Sequence, residues 1–402
     1  MDNSLPRDYY CSFKFRYLKI DIESGTTYNC HAAKPHFIDY KWLEHNQGQL
    51  FNTDINVSER QMMLANKRND SCEQNCWPAE DQGAISPRLY QGGNTKTHFE
   101  LRPTPEMVDI TVNSDCNLTC SYCCKEYSSA WRNDIAKNGP YMLTQDPNRY
   151  SLSDKDKILM KIKQPELIQS TRYNKLLNEV RLVSHGIKRL DVTGGEPLLN
   201  NQLVDTIVSL NLPDSTDIII YTGLGVDNKR LHQLCANLST IPNIRLKISA
   251  ENIDKHIEFN RYGIKWDEFC RNIETIQEHN INFSFHCTVS NLTIFGFVDF
   301  CNYFRTKDME LTFAYQPTIM APHVLDQESK EMLTKQFESL PDKYKIALLK
   351  SIQPSPSVLE QQGLNKFLTE FVRRRSDLDT RIFPETFLKW AGLSNVVQSN
   401  SC

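Results

Sequence analysis

The sequence lacks any apolar run long enough to cross a membrane. A helical span needs about 18 or more consecutive apolar residues, and no segment approaches that length. The first residues, Met1–Tyr10, are polar and mixed in charge, so they do not have the pattern of a secretory signal. These absences predict a soluble, cytoplasmic protein with no membrane partner.

A strong charge of one sign is also absent. The 402 residues include 46 Lys and Arg against 49 Asp and Glu, which gives a formal net charge of −3. This balance excludes a chain that binds polyanions over its whole surface but leaves a local basic groove open. The run Arg373–Arg375 could contact phosphates, although such a run is more often the solvated face of a helix. Nucleic acid therefore stays open as a partner.

Cysteine is abundant, with 13 residues. In a reducing compartment, clustered cysteines indicate metal ligands or catalytic groups before they indicate disulfides. Four cysteines stand singly in apolar, periodic segments and are interpreted as small buried hydrophobes: Cys235, Cys270, Cys287 and Cys301. Seven others lie in polar or turn-like surroundings in the first third of the chain: Cys11, Cys30, Cys72, Cys76, Cys116, Cys120 and Cys123.

Short apolar runs alternate with helix-like stretches in the middle of the chain. The predicted strands are Met107–Val112, Arg189–Val192, Asp217–Tyr221, Arg245–Ile248, Asn282–Cys287 and Leu311–Tyr315. The predicted helices are Asp154–Ile162, Tyr173–His185, Asn201–Leu210, Asn228–Asn237, Trp266–His279 and Ile294–Phe304. This alternation predicts an α/β fold with a parallel sheet and right-handed crossovers. Six units are too few for a complete eight-stranded barrel, so we expect an open or partial barrel.

Composition changes on either side of this region suggest further domains. The length of the chain favours two or more domains, and a turn-rich stretch at 90–105 indicates a linker. The predicted domains are a cysteine-rich module at 1–95, a partial barrel at 104–325 and a helical C-terminal extension at 326–402.

A cysteine loop follows the first predicted strand. Its cysteines, Cys116, Cys120 and Cys123, have the spacing C-x3-C-x2-C. Three thiolates can each hold one iron of a cubane [4Fe-4S] cluster and leave the fourth iron open, whereas electron-transfer clusters have four cysteine ligands. A structural zinc ion needs a fourth nearby ligand. Cys124 could supply it, but an adjacent cysteine is awkward in a tetrahedral site.

The cysteine loop resembles the signature of the radical S-adenosylmethionine (SAM) superfamily, which is C-x3-C-x-aromatic-C after the first strand of a partial (β/α)6 barrel. The segment Gly194-Gly195-Glu196-Pro197, after the second predicted strand, is similar to the GGEP motif of that family. The resemblance implies a [4Fe-4S] cluster on the cysteine loop with SAM at its open iron. It also implies that Gly194, Gly195 and Glu196 contact the SAM amino group, chiefly through their backbone.

Further SAM contacts are predicted at other strand ends. Ser249 and Glu251 follow the fourth strand and could bind ribose hydroxyls, although a polar strand end would have the same pattern. Arg261 suits a carboxylate, and related enzymes pair such an arginine with that of SAM; the alternative is a solvated arginine at a helix end. Tyr122 is expected to shield the cluster or pack beside adenine. Val289 is expected to line the adenine or substrate side.

Four cysteines before the barrel form a second candidate metal site. A hairpin with a turn at Gly25 delivers two of them and a short loop delivers the other two: Cys11, Cys30, Cys72 and Cys76. The segment resembles the twitch or SPASM-like auxiliary cluster modules of radical SAM proteins in the features Arg60–Leu64, Glu80, Gly83, Ser86 and Arg88. It departs from them in having Cys30-His31 and a C-x3-C spacing. A second [4Fe-4S] cluster is predicted, with zinc or a metal-free remnant as alternatives.

The resemblance implies an enzyme of the oxidoreductase or transferase class. Reductive cleavage of SAM would give methionine and a 5′-deoxyadenosyl radical that abstracts hydrogen from a substrate. The electron would come from an external donor such as flavodoxin or ferredoxin. The auxiliary module favours a peptide or protein substrate. A nucleotide, nucleic acid, sugar or other small molecule is the alternative, and a non-catalytic iron–sulfur or zinc-binding interaction protein is an alternative of another class.

Overall fold

The structure is a computed structural model that describes residues 8–73, 75–81, 86–90, 92–144, 146–160 and 170–393. The ends of the predicted domains 1–95 and 326–402, and the last residues of the predicted helix Asp154–Ile162, lie outside the described residues. None of the described helices combines the length and the apolarity of a membrane span.

The described residues form eleven strands and a larger number of helices. The strands are β1 (Tyr17–Asp21), β2 (Thr26–Tyr28), β3 (His36–Phe37), β4 (Met107–Thr111), β5 (Thr119–Cys120), β6 (Arg189–Thr193), β7 (Asp217–Thr222), β8 (Ile244–Ser249), β9 (Arg261–Tyr262), β10 (Asn282–Val289) and β11 (Met309–Phe313). The α-helices are Phe13–Arg16, Tyr40–His45, Asp54–Leu64, Cys76–Asp81, Pro87–Tyr90, Ser129–Asn138, Asp154–Leu159, Thr171–Leu182, Leu203–Ser209, Asn228–Leu238, Asp254–Asn260, Trp266–Glu278, Phe297–Tyr303, Gln327–Phe337, Asp342–Ile352, Val358–Arg373 and Glu385–Trp390. The 3-10 turns are Leu50–Asn52, Asp70–Cys72, Ser184–Gly186, Pro197–Leu199, Thr293–Gly296, Thr318–Met320 and Thr380–Ile382.

The chain divides into two compact units. The first unit comprises residues 1–113, 163–220 and 240–245, and the second comprises residues 114–162, 221–239 and 246–402. The strands of the first unit have the order β7-β6-β4-β1-β2-β3. In it β7, β6, β4 and β1 are parallel, whereas β2 and β3 are antiparallel additions. The second unit has the order β8-β10-β11, with β10 and β11 parallel, and also a short ribbon of β5 and β9.

The six predicted strands of the barrel coincide with β4, β6, β7, β8, β10 and β11 to within two residues. The predicted α/β fold with parallel strands, typical of a radical SAM partial barrel, is therefore confirmed. Two predicted helices differ. Ile294–Phe304 begins as the 3-10 turn Thr293–Gly296 and becomes α-helical only at Phe297–Tyr303. Tyr173–His185 is α-helical only to Leu182 and is followed by the 3-10 turn Ser184–Gly186.

An early strand joins the parallel sheet of the first unit. β1 pairs with β4 from Tyr17 opposite Met107 to Asp21 opposite Thr111. The sequence predicted this strand only as part of a hairpin, and the hairpin partner β2 is present. The sheet of the first unit thus includes residues from before the predicted linker, and the predicted domain boundaries remain predictions.

The two faces of this sheet carry different side chains, aliphatic on one and charged on the other. Val108 and Ile110 of β4 alternate with Asp109, and Leu190 and Val192 of β6 alternate with Asp191. Because successive side chains of a strand point to opposite faces, the aliphatic residues share one face and the carboxylates share the other. The register places Lys19, Asp109 and Asp191 side by side on that second face.

An aromatic core in the second unit lies directly after the cysteine loop. Trp131 is fully buried, and the ring centroids of Tyr141, Tyr150, Phe367 and Phe371 lie 5.1 to 6.3 Å from its own. The helix that bears Trp131 is capped by Ser128, whose hydroxyl accepts from the Trp131 backbone N–H at 3.2 Å. Phe367 and Phe371 belong to the helix Val358–Arg373, which begins with a capping box. This core contacts the cysteine loop through Trp131 and supports it.

Candidate active site

The cysteine loop, residues 116–123, is held by backbone pairing. Cys120 in β5 lies opposite Arg261 in β9. The backbone N–H of Ser121 donates to the carbonyl of Asn260 at 2.8 Å, and the indole N–H of Trp131 donates to the Cys120 carbonyl at 3.0 Å. The position of Cys120 is therefore set by a strand pair on one side and by the aromatic core on the other.

The loop brings its three predicted cluster ligands together. Cys120 is buried, and Cys116 and Cys123 are half-buried. The pKa of the Cys123 thiol is raised well above its usual value by a hydrogen bond with Cys124, by burial and by the negative charges of Cys124, Cys120 and Cys116. Thiolates this close repel one another, so a cationic group among them would stabilise them.

Three predicted SAM contacts bind one another beside the loop. The Arg261 Nη2 donates to Glu251 Oε2 at 2.8 Å, and the Tyr122 hydroxyl donates to Glu251 Oε1 at 3.0 Å. The side chains of Arg261 and Glu251 are 5% and 1% exposed. Burial lowers the pKa of Arg261, but the charges of Glu251, Tyr122 and Cys120 outweigh burial and raise it. Arg261 therefore keeps its positive charge.

Arg261 has an unused donor. Its Nε is buried and makes no hydrogen bond with the described residues. Its Nη1 lies 3.9 Å from the Cys120 sulfur. A buried donor without a partner costs about 1–3 kcal/mol, so this N–H fits an acceptor supplied by a bound group. The side chain that sequence reasoning assigned to the SAM carboxylate is thus charged, buried and incompletely bonded next to a cluster ligand.

The glycine turn after β6 is closely packed. Gly194 has φ +144°, and a Cβ atom there would lie 2.6 Å from the Asn113 carbonyl oxygen. The N–H of Gly195 donates to that same oxygen at 3.1 Å, and the Glu196 carboxylate accepts from the Leu198 N–H at 3.2 Å. Only glycine fits at position 194, because an L side chain is excluded both by φ and by space.

The remaining predicted contacts lie at strand ends, as expected. Ser249 is the half-buried last residue of β8, and Val289 is the buried last residue of β10. Their contact with SAM stays a prediction.

The four early cysteines are brought together in the first unit: Cys11, Cys30, Cys72 and Cys76. All four are buried. The charges of neighbouring cysteines raise the pKa of Cys11, Cys30 and Cys72, and Cys76 is one of those neighbours. Burial is the largest cause and raises the pKa of all four thiols, that of Cys72 to about 12. As neutral thiols they suit this apolar place, whereas as thiolates they need nearby positive charge.

Lys14 provides such a charge. It is fully buried, and its Nζ donates to Asn29 Oδ1 at 2.6 Å, to Glu59 Oε2 at 2.7 Å and to Ser71 Oγ at 2.7 Å. Its charge lowers the pKa of Cys11, Cys30 and Cys72.

A second buried cation lies near Cys76. The Arg88 Nη2 is 2.6 Å from Glu80 Oε2, and the Ser86 hydroxyl donates to the same carboxylate at 2.5 Å. Burial raises the pKa of Cys76, and the backbone N–H of Arg88 and the Ser86 side chain lower it. Glu80, Ser86 and Arg88, three of the residues that carried the resemblance to auxiliary modules, therefore form one network. Gly83 lies outside the described residues.

Neither cysteine set has the closeness of a mononuclear site. In the described parts of the chain, no three of His, Cys, Asp or Glu converge on a point that one metal ion could occupy. A tetrahedral zinc ion with bonds of about 2.3 Å would hold its sulfurs about 3.8 Å apart. A cubane cluster spaces its cysteines more widely because each sulfur binds a different iron.

The arginine run has a different role from either one that the sequence suggested. Arg373 is exposed and paired with Glu370, but Arg374 and Arg375 are buried, so neither phosphate contact nor a solvated face describes them. Arg375 Nη2 donates to Thr119 Oγ1 at 2.9 Å, next to Cys120. The missed signal was the periodicity, since position 375 continues the buried stripe that includes Phe371.

Comparison with known proteins bears on residues 110–303, which match the family model of the Radical SAM superfamily. The match covers just under half of the chain and identifies these residues as a radical SAM domain. The match supports the predicted radical SAM class for these residues. Such a domain implies a [4Fe-4S] cluster and SAM as cofactors.

Curated relatives match at low identity. The chain is similar to GTP 3′,8-cyclase of Staphylococcus epidermidis, with 25% identity over 210 residues that cover 51% of this chain and 52% of that protein. It is also similar to GTP 3′,8-cyclase of Clostridium perfringens, with 27% identity over 173 residues and 43% of each chain. The chain spans about half the length of these relatives.

Solved structures resemble it more distantly. Native anSMEcpe with bound AdoMet has 16% identity and a TM-score of 0.36, over 65% of this chain and 66% of that one. Streptococcus suis SuiB bound to precursor peptide SuiA has 12% identity and a TM-score of 0.32, over 91% and 71%.

Proposed function

We propose that this chain cleaves SAM reductively with a [4Fe-4S] cluster held by Cys116, Cys120 and Cys123. When bound, the cluster and SAM supply an electron and a 5′-deoxyadenosyl radical that abstracts hydrogen from a substrate. The observation that carries the proposal is the gathering of three thiols beside the buried, incompletely bonded Arg261.

The side chains around the loop have separable roles in this proposal. Arg261 binds the SAM carboxylate, and Glu251 and Tyr122 orient Arg261 through the Glu251 carboxylate. The backbone of Gly194 and Gly195, with Glu196, binds the SAM amino group. Ser249 and Val289 contribute ribose and adenine contacts. The buried ring of Trp131 and the half-buried ring of Tyr122 shield the loop from water.

A second [4Fe-4S] cluster on the four early cysteines is part of the proposal. Its support is the burial of all four thiols and the two buried cations, Lys14 and Arg88, that favour thiolates there. Zinc bound by the same four cysteines is the alternative metal. A metal-free remnant would gain nothing from a fully buried lysine beside three thiols, since that charge is expensive to desolvate.

The proposed substrate is a peptide or protein, on the resemblance of the early cysteine segment to auxiliary modules. A guanine nucleotide is the second candidate, because the curated relatives are named GTP 3′,8-cyclase. An external donor such as flavodoxin or ferredoxin would supply the electron, in the cytoplasm. The two candidates are distinguished by incubating the protein with deuterated peptides or with deuterated GTP and measuring the deuterium that appears in 5′-deoxyadenosine.

Counting iron and sulfide tests the proposal directly. The full chain would be purified without oxygen, reconstituted and compared with two variants, the triple Cys116→Ala/Cys120→Ala/Cys123→Ala and the quadruple Cys11→Ala/Cys30→Ala/Cys72→Ala/Cys76→Ala. We expect about eight irons in the wild type and about four in each variant, for two cubane clusters. Of the two variants, only the quadruple variant should still cleave SAM when dithionite supplies the electron.

The control is Cys235→Ala, which removes a lone buried thiol of the second unit and should keep all iron. SAM cleavage by the triple variant would contradict the proposal. A count of about four irons in the wild type and none in the triple variant would contradict the second cluster and support the first.

A further inference from the structure

A lysine of the early segment is bound within the parallel sheet of the first unit. Lys19 lies in β1 opposite Asp109 in β4, and its Nζ is 2.7 Å from Asp109 Oδ1. The two side chains are 12% and 9% exposed. The Tyr17 hydroxyl donates to the other oxygen, Oδ2, at 2.8 Å. None of these three residues is among the predicted site residues.

The same lysine reaches one strand further. Its Nζ donates to Thr193 Oγ1 at 2.6 Å, and the Thr193 hydroxyl donates to Asp109 Oδ1 at 2.6 Å. Lys19, Asp109 and Thr193 thus form a closed triangle of hydrogen bonds across β1, β4 and β6. Thr193 is the last residue of β6, and the next residue is Gly194.

The turn after Thr193 depends on its neighbours for its position. Two consecutive glycines have no side chain to pack, and glycine is the residue that loses most backbone freedom on folding. The contacts of the turn include the bond from the Gly195 N–H to the Asn113 carbonyl and the close approach of Gly194 to that oxygen. The triangle holds the strand end immediately before the turn and so sets its starting direction.

We propose that Lys19 is a positioning residue for the SAM-binding turn Gly194–Glu196, acting through Thr193. This rests on the proposed function, in which that turn contacts the SAM amino group. A strand of the cysteine-rich early segment then supports the glycine turn of a domain whose family match begins only at residue 110. The early segment is required for SAM binding whether or not its own cysteines hold a cluster.

The test compares Lys19→Met with Lys188→Met in the reconstituted full chain. Lys188 precedes β6 at its other end and is 72% exposed, so it is a matched lysine outside the triangle. Equilibrium dialysis gives the Kd for SAM, and dithionite-driven cleavage gives KM and kcat. We expect Lys19→Met to raise both Kd and KM about ten- to hundredfold, as when a supporting partner of a ligand is removed, with kcat and iron content unchanged. Lys188→Met should match the wild type.

A second variant protects the test against misfolding. Thr193→Val removes the linking hydroxyl but keeps the shape of the side chain and the Lys19–Asp109 ion pair. It should raise KM for SAM in the same direction. Wild-type Kd and KM in a folded Lys19→Met protein, or in Thr193→Val if the first variant does not fold, would overturn the inference. Failure of the wild type to bind SAM at all would instead overturn the proposed function and the inference with it.

Discussion

Replacing Lys14 with methionine should lower the reduction potential of the second cluster. Lys14 is fully buried and bonded to the Glu59 carboxylate, so the pair is neutral and lies among Cys11, Cys30 and Cys72. Lys14→Met removes the positive charge and leaves the negative one. Adding an electron to a cluster with less positive charge nearby is harder, so its potential falls.

The expected size follows from the burial of the pair. At an effective dielectric constant of about 20 and a separation on the order of 6 Å, one unit charge acts with about 2.8 kcal/mol. That is about two powers of ten in the equilibrium constant for reduction, or about 120 mV for a one-electron couple. An exposed lysine at the same separation would act with about 0.7 kcal/mol in bulk water.

The assay uses the triple alanine variant of the cysteine loop as background, so that only the second cluster remains. Potentiometric titration followed by EPR of the reduced cluster gives the potential. Lys14→Met should lower it, Glu59→Gln should raise it, and the double variant, which is again neutral, should fall between them. Equal potentials in both single variants would refute the electrostatic reasoning, and a background without iron would refute the second cluster itself.

Stability provides a parallel control. Breaking a buried ion pair by removing one partner typically costs 3–5 kcal/mol. Lys14→Met should therefore lower the free energy of unfolding by about 3–5 kcal/mol, and the double variant with Glu59→Gln should recover part of this loss in urea denaturation. If the reduction potentials of these variants follow their charge and not their free energy of unfolding, the electrostatic effect is distinguished from destabilisation.

Three other perturbations have definite expected outcomes. Arg375→Ala should lower the iron content of the cysteine loop, and it should lower the free energy of unfolding by about 3 kcal/mol. Arg373→Ala, at an exposed position, should leave both quantities unchanged. Iron assays and urea denaturation measure them. Gly194→Ala should abolish SAM binding in equilibrium dialysis without loss of cluster iron, and wild-type affinity would contradict the close approach of Asn113. Burial lowers the pKa of His286 to about 4, with Lys247 and Arg261 adding to the shift and Glu310 opposing it. Since the unfolded chain binds this proton below pH 6.5, stability should fall as the pH drops from 6.5 towards 4, and less steeply in His286→Asn.

The strands of the barrel were predictable because their signal is local. Each is a short apolar run bounded by turns, and this pattern located β4, β6, β7, β8, β10 and β11. The pairing of β1 with β4 was not predictable, since residues 21 and 107 are separated by more than eighty positions and parallel pairing leaves no local signature. The Lys19 triangle depends on that pairing and was missed with it.

The candidate site was predictable in its residue types but not in all its contacts. The spacing of Cys116, Cys120 and Cys123 indicated a cluster loop, and the structure gathers these thiols. Sequence assigned Arg261 and Glu251 to different parts of SAM, whereas their side chains bind each other. A carboxylate and a guanidinium can each bind a ligand or a neighbour, and only geometry distinguishes these outcomes.

The two fully buried tryptophans lie one beside each cysteine set. Trp131 donates its indole N–H to the Cys120 carbonyl, and Trp77 packs in the core that contains Cys11, Cys72 and Cys76. Iron–sulfur clusters absorb broadly in the near ultraviolet and quench nearby indole emission. Intrinsic fluorescence therefore reports cluster loading at each site by difference, because Trp42, Trp266 and Trp390 contribute equally to both variants. The part of the emission change lost in Trp131→Phe reports the loop, and the part lost in Trp77→Phe reports the early cysteines.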